Sequence, residues 1–237
     1  MKIGPHLHRI GNDIVAAYLI DTPEGITLID AGLPGHWRDL KRELVRIDRA
    51  IADIRGVVLT HGDSDHLGFA ERLRRETGVP VYIHAADADR AKGGDKPKTS
   101  VGRVKWGAVL RFALYALRKG GARTRYLTEV TEVTDGDVLP LPGAPKVISM
   151  PGHSPGSIAV HVPVAEAVFV GDALTTRHVL TGQEGPQPAP FTDEPDLALD
   201  SLARLAGVEA RWVLPGHGAP LKVAPGEVDA LVRAAAG

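Results

Sequence analysis

The amino-acid sequence predicts an α+β fold in which layers of strands are enclosed by helices within one domain, 1–237. Short apolar runs alternate with segments of helical periodicity in both halves of the chain, and no repeat or low-complexity tract interrupts them. The 237 residues, 43% hydrophobic and 24% charged, suffice for a substantial core and have the composition of an ordinary soluble globular protein. This composition excludes a disordered or collagen-like chain.

Apolar runs and helical periodicity define the expected elements in chain order. Strands are predicted at 14–20, 26–29, 57–59, 79–83, 130–133, 138–139, 147–150, 158–162, 167–170 and 211–214. Helices are predicted at 37–51, 69–77, 85–90, 197–205 and 228–236. The Pro-rich stretch 185–190 is expected to form a loop.

The chain contains no cysteine, which restricts the chemistry that it can carry. Disulfides, thiolate nucleophiles and Cys-based metal sites are all excluded. Any metal ion must therefore be held by histidine nitrogen and carboxylate oxygen. No apolar run approaches the roughly 20 residues of a membrane-spanning helix, and the first residues lack the apolar stretch of a secretory signal. A cytoplasmic location is expected on that ground.

The strongest functional signal is the segment THGDSDH at 60–66, which directly follows an apolar strand. It places four metal-competent side chains, His61, Asp63, Asp65 and His66, within six residues. Irregular backbone at a strand end allows neighbouring side chains to point the same way, which a regular helix or strand does not. The alternative interpretation is a polar loop in which Asp63 or Ser64 caps the next helix.

Three later segments repeat this arrangement, with one metal-competent residue beside glycine just past an apolar strand. They contribute His153, Asp172 and His217. One such residue is usually structural, but four strand-end sites in a chain without cysteine point to a common cluster. Seven ligands exceed what one tetrahedral zinc ion accepts and suit two metal ions that share a bridging carboxylate.

These motifs, in this order, resemble the metallo-β-lactamase-fold metallohydrolase superfamily, from LIDAG at 28–32 to the final PGHG. The resemblance implies a four-layer αββα sandwich with a dinuclear site at the sheet edges. It also implies hydrolysis by a hydroxide that bridges the two metal ions, with Asp65 as the catalytic residue that orients this nucleophile and shuttles a proton. The implied ligands of metal one are His61, Asp63 and His153.

The same resemblance implies that Asp65, His66 and His217 hold metal two and that Asp172 bridges both ions. Asp30 matches an acidic position that supports the ligand loops without binding metal. A capping role for Asp30 before the following turn is compatible with this interpretation.

The sequence departs from the usual His-x-His-x-Asp-His motif of this family at Asp63, which replaces the second histidine. Asp63 either binds metal one through oxygen or leaves that site weak, so that a single occupied metal site stays an alternative. An added carboxylate favours manganese or iron more than an all-histidine site does, but zinc is the first expectation because imidazole dominates the set. Asp172 stands where some antibiotic-degrading members carry cysteine, which favours the thioesterase, lactonase and phosphodiesterase branches.

The segment 90–125 carries eleven basic residues and one acidic residue, a formal charge of +10 against −11 for the rest of the chain. A predicted amphipathic helix at 101–117 lies within it. One interpretation is a helix with solvated basic residues, and another is a lid whose Trp106, Phe112 and Tyr115 line an acyl or aryl pocket. A third is a homodimer or membrane-surface contact through 101–117. Nucleic acid is not expected, because aromatic residues are only 5% of the chain and no recognition module is visible.

Four further residues are weaker candidates. Tyr115 or Tyr126 could donate to an oxyanion, but core packing is favoured for both. His84 is expected to cap a helix or support the site, and His178 either faces substrate or lies in an exposed loop.

The resulting functional hypothesis is a metal-dependent hydrolase of an ester, thioester or lactone in a small-molecule substrate. A glutathione-thioester hydrolase is less expected, because only about 20 residues follow His217 and similar enzymes carry a longer helical extension. The first alternative is a phosphodiesterase whose +10 segment attracts an anionic phosphate ester. The second is a non-catalytic binding protein that retains the fold, which only the substitution at Asp63 supports.

Overall fold

The computed structural model describes residues 1–95, 104–224 and 226–236, and in it two β-sheets pack face to face. Helices cover the outer face of each sheet, which gives four layers in the order helix, sheet, sheet, helix. This confirms the αββα sandwich that the sequence motifs implied.

The first sheet has seven strands in sequential order. They are β1 (Lys2–Gly4), β2 (Leu7–Gly11), β3 (Ala16–Thr22), β4 (Gly25–Ile29), β5 (Ile54–Val58), β6 (Val81–His84) and β7 (Thr131–Val133). Strands β1 to β4 are antiparallel neighbours, whereas β4 to β7 pair in parallel. The parallel half therefore directs the ends of β4 and β5 to one edge.

The remaining strands form a second sheet and a separate two-stranded ribbon. They are β8 (Lys146–Ser149), β9 (Ile158–Val162), β10 (Ala167–Gly171), β11 (Thr175–Arg177), β12 (Glu184–Gln187), β13 (Trp212–Pro215) and β14 (Leu221–Lys222). The second sheet has the order β14-β13-β10-β9-β8, and β11 pairs with β12. Because β9 is antiparallel to both β8 and β10, and β13 is parallel to β10, strands β8, β10 and β13 point the same way.

Seven helices complete the described fold. They are α1 (His36–Arg46), α2 (Ser64–Leu67), α3 (Ala70–Thr77), α4 (Ala88–Ala91), α5 (Trp106–Arg118), α6 (Pro195–Ser201) and α7 (Val228–Ala236). Helices α1 and α3 pack their apolar sides on the first sheet, and α7 packs on the second with the short helical turn at 202–205. No helix within these described ranges combines the length and apolar character that crossing a bilayer requires.

Alternate side chains of β3 pack into two different hydrophobic cores, one on each face of the sheet. Tyr18 and Ile20 point between the sheets, whereas Ala17 and Leu19 point toward α1 and α3. Both faces are buried, so the strand reads as an uninterrupted apolar run in the sequence.

Several elements differ from the sequence-based prediction. The helix predicted at 37–51 ends at Arg46, because Asp48 adopts a left-handed backbone conformation with φ 56° that a helix cannot continue. The predicted strand 138–139 is only an isolated bridge between Val138 and Lys146. The stretch predicted as a loop at 185–190 begins within β12. The predicted helix 101–117 is α5, and its first three residues lie outside the described part of the chain.

The sequence patterns also missed β1, β2, β11, β12 and β14. These are short or edge strands that carry polar, glycine or proline residues, so they lack a continuous apolar run.

His36 joins the start of α1 to α5. Its side chain is buried, its Nδ1 accepts the backbone N–H of Leu33 at 3.0 Å, and its Nε2 donates to the Tyr115 hydroxyl at 2.8 Å. Both ring nitrogens are thus occupied in the neutral form. Burial lowers the pKa of His36 from 6.5 to about 4, with a smaller contribution from the positive charge of Lys119.

We expect the protein to lose stability through His36 as the pH falls below about 6.5. The folded pKa lies below the ordinary value, so the unfolded chain takes up this proton first, and the loss grows between pH 6.5 and about 4. By about pH 5 the free energy of unfolding should have fallen by ~2 kcal/mol from this residue. Urea unfolding of wild type and His36→Gln at about pH 7 and pH 5 should show a smaller fall in the variant. An NMR titration that placed the His36 pKa near 6.5 would contradict this expectation.

Candidate metal centre

Five strands end at one edge of the two sheets, and each is followed by a metal-competent or supporting residue. Asp30 follows β4, His61 follows β5, and His153, Asp172 and His217 lie just beyond β8, β10 and β13. Asp63, Asp65 and His66 belong to the loop and short helix after β5. The structure therefore brings together all seven side chains that the sequence singled out.

The seven side chains form three overlapping groups in which the potential ligand atoms lie within 4.8 Å of one another. The groups are His61 with Asp63 and His153, Asp65 with His66 and His217, and His61 with His66 and Asp172. Asp172 connects the first two groups, because its Oδ2 lies 3.1 Å from His217 Nε2 and 3.7 Å from His153 Nε2. Its other oxygen lies 3.5 Å from His66 Nε2.

Outer hydrogen bonds orient the imidazoles of His61 and His66. Thr60 Oγ1 donates a hydrogen bond to the Asp30 carboxylate at 2.9 Å. Because the hydroxyl proton is used in that bond, the oxygen accepts the second bond, from His61 Nδ1–H at 3.0 Å. His66 Nδ1 donates to the same Asp30 carboxylate at 2.8 Å. In both rings Nε2 faces the cluster.

His153 and His217 are held in the same way. The Thr192 hydroxyl donates to the Ala189 carbonyl at 2.7 Å and can therefore accept from His153 Nδ1–H at 3.2 Å. His217 Nδ1 donates to the carbonyl oxygen of Ile14. All four histidines are thus set with Nδ1 as the outer donor and Nε2 directed inward.

The inward atoms fit a bound cation. His61 Nε2, His66 Nε2, His153 Nε2 and Asp172 Oδ1 are buried, and within the described part of the chain none has a hydrogen-bond partner. Burying polar atoms without partners costs free energy. A divalent metal ion would supply the missing partner, because imidazole nitrogens and carboxylate oxygens are its usual ligands. The donor set is therefore chemically suited to metal.

The charges of the cluster support the same interpretation. Burial lowers the pKa of His61 well below 6.5. Burial also lowers the pKa of His66, but Asp30 and Asp172 outweigh it and raise the value to about 10. The pKa of Asp172 is held far below its usual range by His217 and His66, despite burial. Asp30 and Asp172 thus stabilise positive charge on the His66 ring, whose Nε2 faces the point where a metal ion would bind.

Glycines beside the predicted ligands allow the two sheets to approach closely. A Cβ atom on Gly216 would lie 2.5 Å from His66 Cε1 and 2.6 Å from Asp172 Oδ1, and one on Gly171 would lie 2.5 Å from Thr60 Oγ1. Any larger residue at these positions would displace the cluster.

Asp63 is paired with a buried arginine. Its Oδ1 accepts from Arg90 Nη1 at 3.3 Å, while its Oδ2 lies 3.5 Å from His153 Nε2 and 3.7 Å from His61 Nε2. Burial raises the pKa of Asp63, but His153, His61 and Arg90 lower it to about 2. Helix α2 begins after Asp63 without a capping bond from its side chain, so the capping interpretation of Asp63 is wrong.

Arg90 belongs to the segment 90–125, for which solvated basic residues were one interpretation, and that interpretation is wrong for Arg90. Its side chain is 2% exposed and contacts Asp95 at 3.4 Å and Asp193 at 2.5 Å in addition to Asp63. Three carboxylates surround one guanidinium, so its charge is neutralised inside the protein.

Asp87 joins two ligand loops and was not anticipated. It is fully buried and accepts from Gly62 N at 2.8 Å, Ser154 Oγ at 2.6 Å and Gly156 N at 2.7 Å. The first donor belongs to the loop of His61 and the other two to the loop of His153. No local motif marks Asp87, because its role depends on a contact with residues 67 to 69 positions later in the chain.

A pocket of about 480 Å³ opens onto the cluster. Its polar side includes Asp63, Asp65, His153, Asp172 and His217. Its apolar lining is built from Leu33, Phe112, Ala116, Val179, Pro190 and Phe191. Such a division of polar and apolar surface is typical of small-molecule sites.

Of the three aromatic residues predicted to line the pocket, only Phe112 does so. Trp106 is 81% exposed and points away from the protein, and Tyr115 contacts His36 instead. Tyr126, for which core packing was favoured, is 46% exposed and lines the pocket. The predicted cap is confirmed for His84, whose Nδ1 accepts from Ala86 N at 3.2 Å.

Comparison with known proteins identifies the family. A family model described as the metallo-beta-lactamase superfamily matches residues 10–217. The probable metallo-hydrolase YflN of Bacillus subtilis (strain 168) is 29% identical over 227 residues, which are 91% of this chain and 84% of that protein. The hydroxyacylglutathione hydrolase of Hyphomonas neptunium (strain ATCC 15444) is 32% identical over 115 residues, 48% of this chain and 32% of that protein. The structure of TTHA1623 in a di-iron-bound form matches with a TM-score of 0.63 and 26% identity, covering 96% of this chain and 97% of that one.

Replacing Asp87 with asparagine should destabilise the fold at the metal centre. An amide cannot accept all three hydrogen bonds, so at least one buried donor loses its partner, at a cost of ~3 kcal/mol. Urea unfolding measures this loss. Asp89→Asn, at an exposed position two residues further along in α4, is the matched control and should change stability by less than ~0.5 kcal/mol. Equal stabilities of the two variants would show that Asp87 does not join the loops in the way described.

Proposed function

The chain belongs to the metallo-β-lactamase superfamily, and from this premise we propose that it is a hydrolase that uses two divalent metal ions to cleave an ester, thioester or lactone. The observation that carries the proposal is that one pocket is lined both by the imidazole and carboxylate groups of the cluster and by apolar side chains. The metallo-hydrolase relatives and the di-iron-bound neighbour support it.

We assign one metal ion to His61, Asp63 and His153 and the other to Asp65, His66 and His217, with Asp172 between them. Bound divalent ions in such a site lower the pKa of water toward neutrality and polarise a substrate carbonyl. Zinc is our first choice because four of the seven ligands are imidazoles, and the oxygen ligand Asp63 leaves iron or manganese as alternatives.

Asp65 is the carboxylate that we propose to move the proton. Its side chain is 20% exposed, more than those of Asp63 and Asp172, and it lines the pocket. Its Oδ2 lies 3.6 Å from His217 Nε2, so it has one oxygen near the cluster and access to the pocket. In this role Asp65 accepts a proton from the attacking water and passes it to the leaving group.

The apolar wall supports an acyl substrate over a phosphodiester. Leu33, Phe112 and Val179 can cover a hydrocarbon portion of a substrate whose reacting carbonyl faces the carboxylate side. Among the described lining residues the one lysine or arginine is Arg90, whose charge three carboxylates already neutralise. The +10 segment therefore adds little positive charge to the described pocket, which removes the main reason for proposing an anionic phosphate ester.

A substrate panel and one substitution test this function together. Acyl-homoserine lactones, acyl thioesters and bis-p-nitrophenyl phosphate should be compared, and we expect turnover of one of the two acyl classes. Asp65→Asn should lower kcat by about 10²- to 10⁴-fold, because the proton would lose its acceptor. The exposed variant Asp89→Asn controls for folding. Hydrolysis of the phosphodiester alone, or near-wild-type turnover by folded Asp65→Asn, would contradict the proposal.

Metal content tests the dinuclear assignment independently of turnover. We expect about two equivalents of metal in the wild type and about one in Asp63→Ala, because one ion would lose its carboxylate ligand. Removal of metal with a chelator should also lower the melting temperature, and adding zinc or manganese should restore it. Fewer than about 0.3 equivalents, with no such restoration, would favour the non-catalytic binding protein.

A further inference from the structure

Helix α5 carries an exposed apolar stripe. Trp106 is 81% exposed, Leu110 60%, Leu114 45% and Leu117 65%. Their spacing of four, four and three residues places them on one side of the helix. Isolated exposed apolar residues are common on proteins, but four large ones in a continuous row mark a contact surface.

This stripe is not the side by which α5 joins the fold. Phe112, Tyr115 and Ala116 lie on the opposite side, where they pack against the small cluster that contains Ile14 and Leu33. The helix therefore has two apolar sides. One is satisfied within the protein, and the other faces outward.

Basic residues border the stripe. Arg111 and Arg118 are three and four residues from Leu114, so they lie beside it on the helix surface. Lys105, Arg123 and Arg125 are also exposed nearby, and none of these five cations forms an ion pair within the described part of the chain. The sequence from 104 to 125 contains no acidic residue.

We propose that α5 docks this protein on an anionic lipid surface, lying in the plane of the interface with Trp106, Leu110 and Leu117 inserted among the lipids. Apolar side chains bordered by arginine, with a tryptophan at one end, are the features of helices that bind in this way. A second copy of the chain fits less well, because a symmetric contact through α5 would bring two basic borders together without any acidic residue between them. Anionic headgroups supply the missing negative charge.

The proposal does not depend on the reaction that the protein catalyses. It does have a structural consequence, because Phe112 and Ala116 on the inner side of α5 line the pocket. Docking through the outer side would place the pocket about one helix diameter, ~10 Å, from the lipid surface.

Co-sedimentation of the full chain with vesicles tests this docking. We expect binding to vesicles of phosphatidylglycerol and phosphatidylcholine, weak binding to pure phosphatidylcholine, and a decrease with salt. The triple variant Trp106→Ser/Leu110→Ser/Leu117→Ser should bind about a hundredfold more weakly. Arg111→Gln/Arg118→Gln should bind about thirtyfold more weakly. The control Val45→Ser/Val138→Ser changes two exposed apolar residues outside α5 and should bind like the wild type.

Three outcomes would overturn the proposal. The first is no binding of the wild type to the anionic vesicles, and the second is equal binding by wild type and the triple variant. The third is a dimer in sedimentation equilibrium that the triple variant dissolves, which would assign the stripe to a second copy of the chain. Circular dichroism of each variant ensures that a loss of binding is not a loss of fold.

Discussion

The buried carboxylate of Asp30 is the contact on which the geometry of the metal centre depends. It lies just beyond β4 and accepts hydrogen bonds from the backbone and hydroxyl of Thr60 and from His66. Asp30 adopts a left-handed backbone conformation with φ 60°, which is costly for a residue other than glycine. Three bonds to one carboxylate hold it there and orient His66 and, through Thr60, His61. The ends of β4 and β5 therefore act as one unit.

Hydrogen bonds to backbone carbonyls connect the second sheet to the first sheet beside the site. Ile158 N donates to the Thr60 carbonyl at 2.8 Å, and Ala16 N donates to the Gly216 carbonyl at 2.9 Å. The Tyr18 hydroxyl donates to the Pro215 carbonyl at 2.7 Å. These bonds join strands of different sheets beside the site, so His153, Asp172 and His217 reach the same point as the residues of the first sheet. The sandwich and the site thus share the same set of contacts.

Sequence patterns predicted the strand ends well and the surrounding contacts poorly, for a physical reason. A buried strand requires an apolar run, and a metal ligand at its end requires a turn. The local sequence pattern therefore reveals His61, His153 and His217. Asp87 and Arg90 are not, because their importance lies in partners that are distant in sequence. The periodicity of α5 predicted a helix but not its orientation. With apolar residues on both sides, sequence alone did not distinguish the inner Phe112 from the outer Trp106.

The basic segment 90–125 shows that a run of like charge has no single physical meaning until its side chains are placed. Arg90 is buried as the counter-ion of Asp63, and Lys119 contacts Asp39. Arg111 and Arg118 instead remain exposed beside an apolar stripe. A charge attracts a substrate only if its field reaches the pocket, and the Arg90 charge is cancelled there by carboxylates. The exposed arginines instead attract negatively charged partners to the outer side of α5. The segment therefore has two parts: a buried arginine that pairs with carboxylates at the metal centre, and an exposed contact surface on α5.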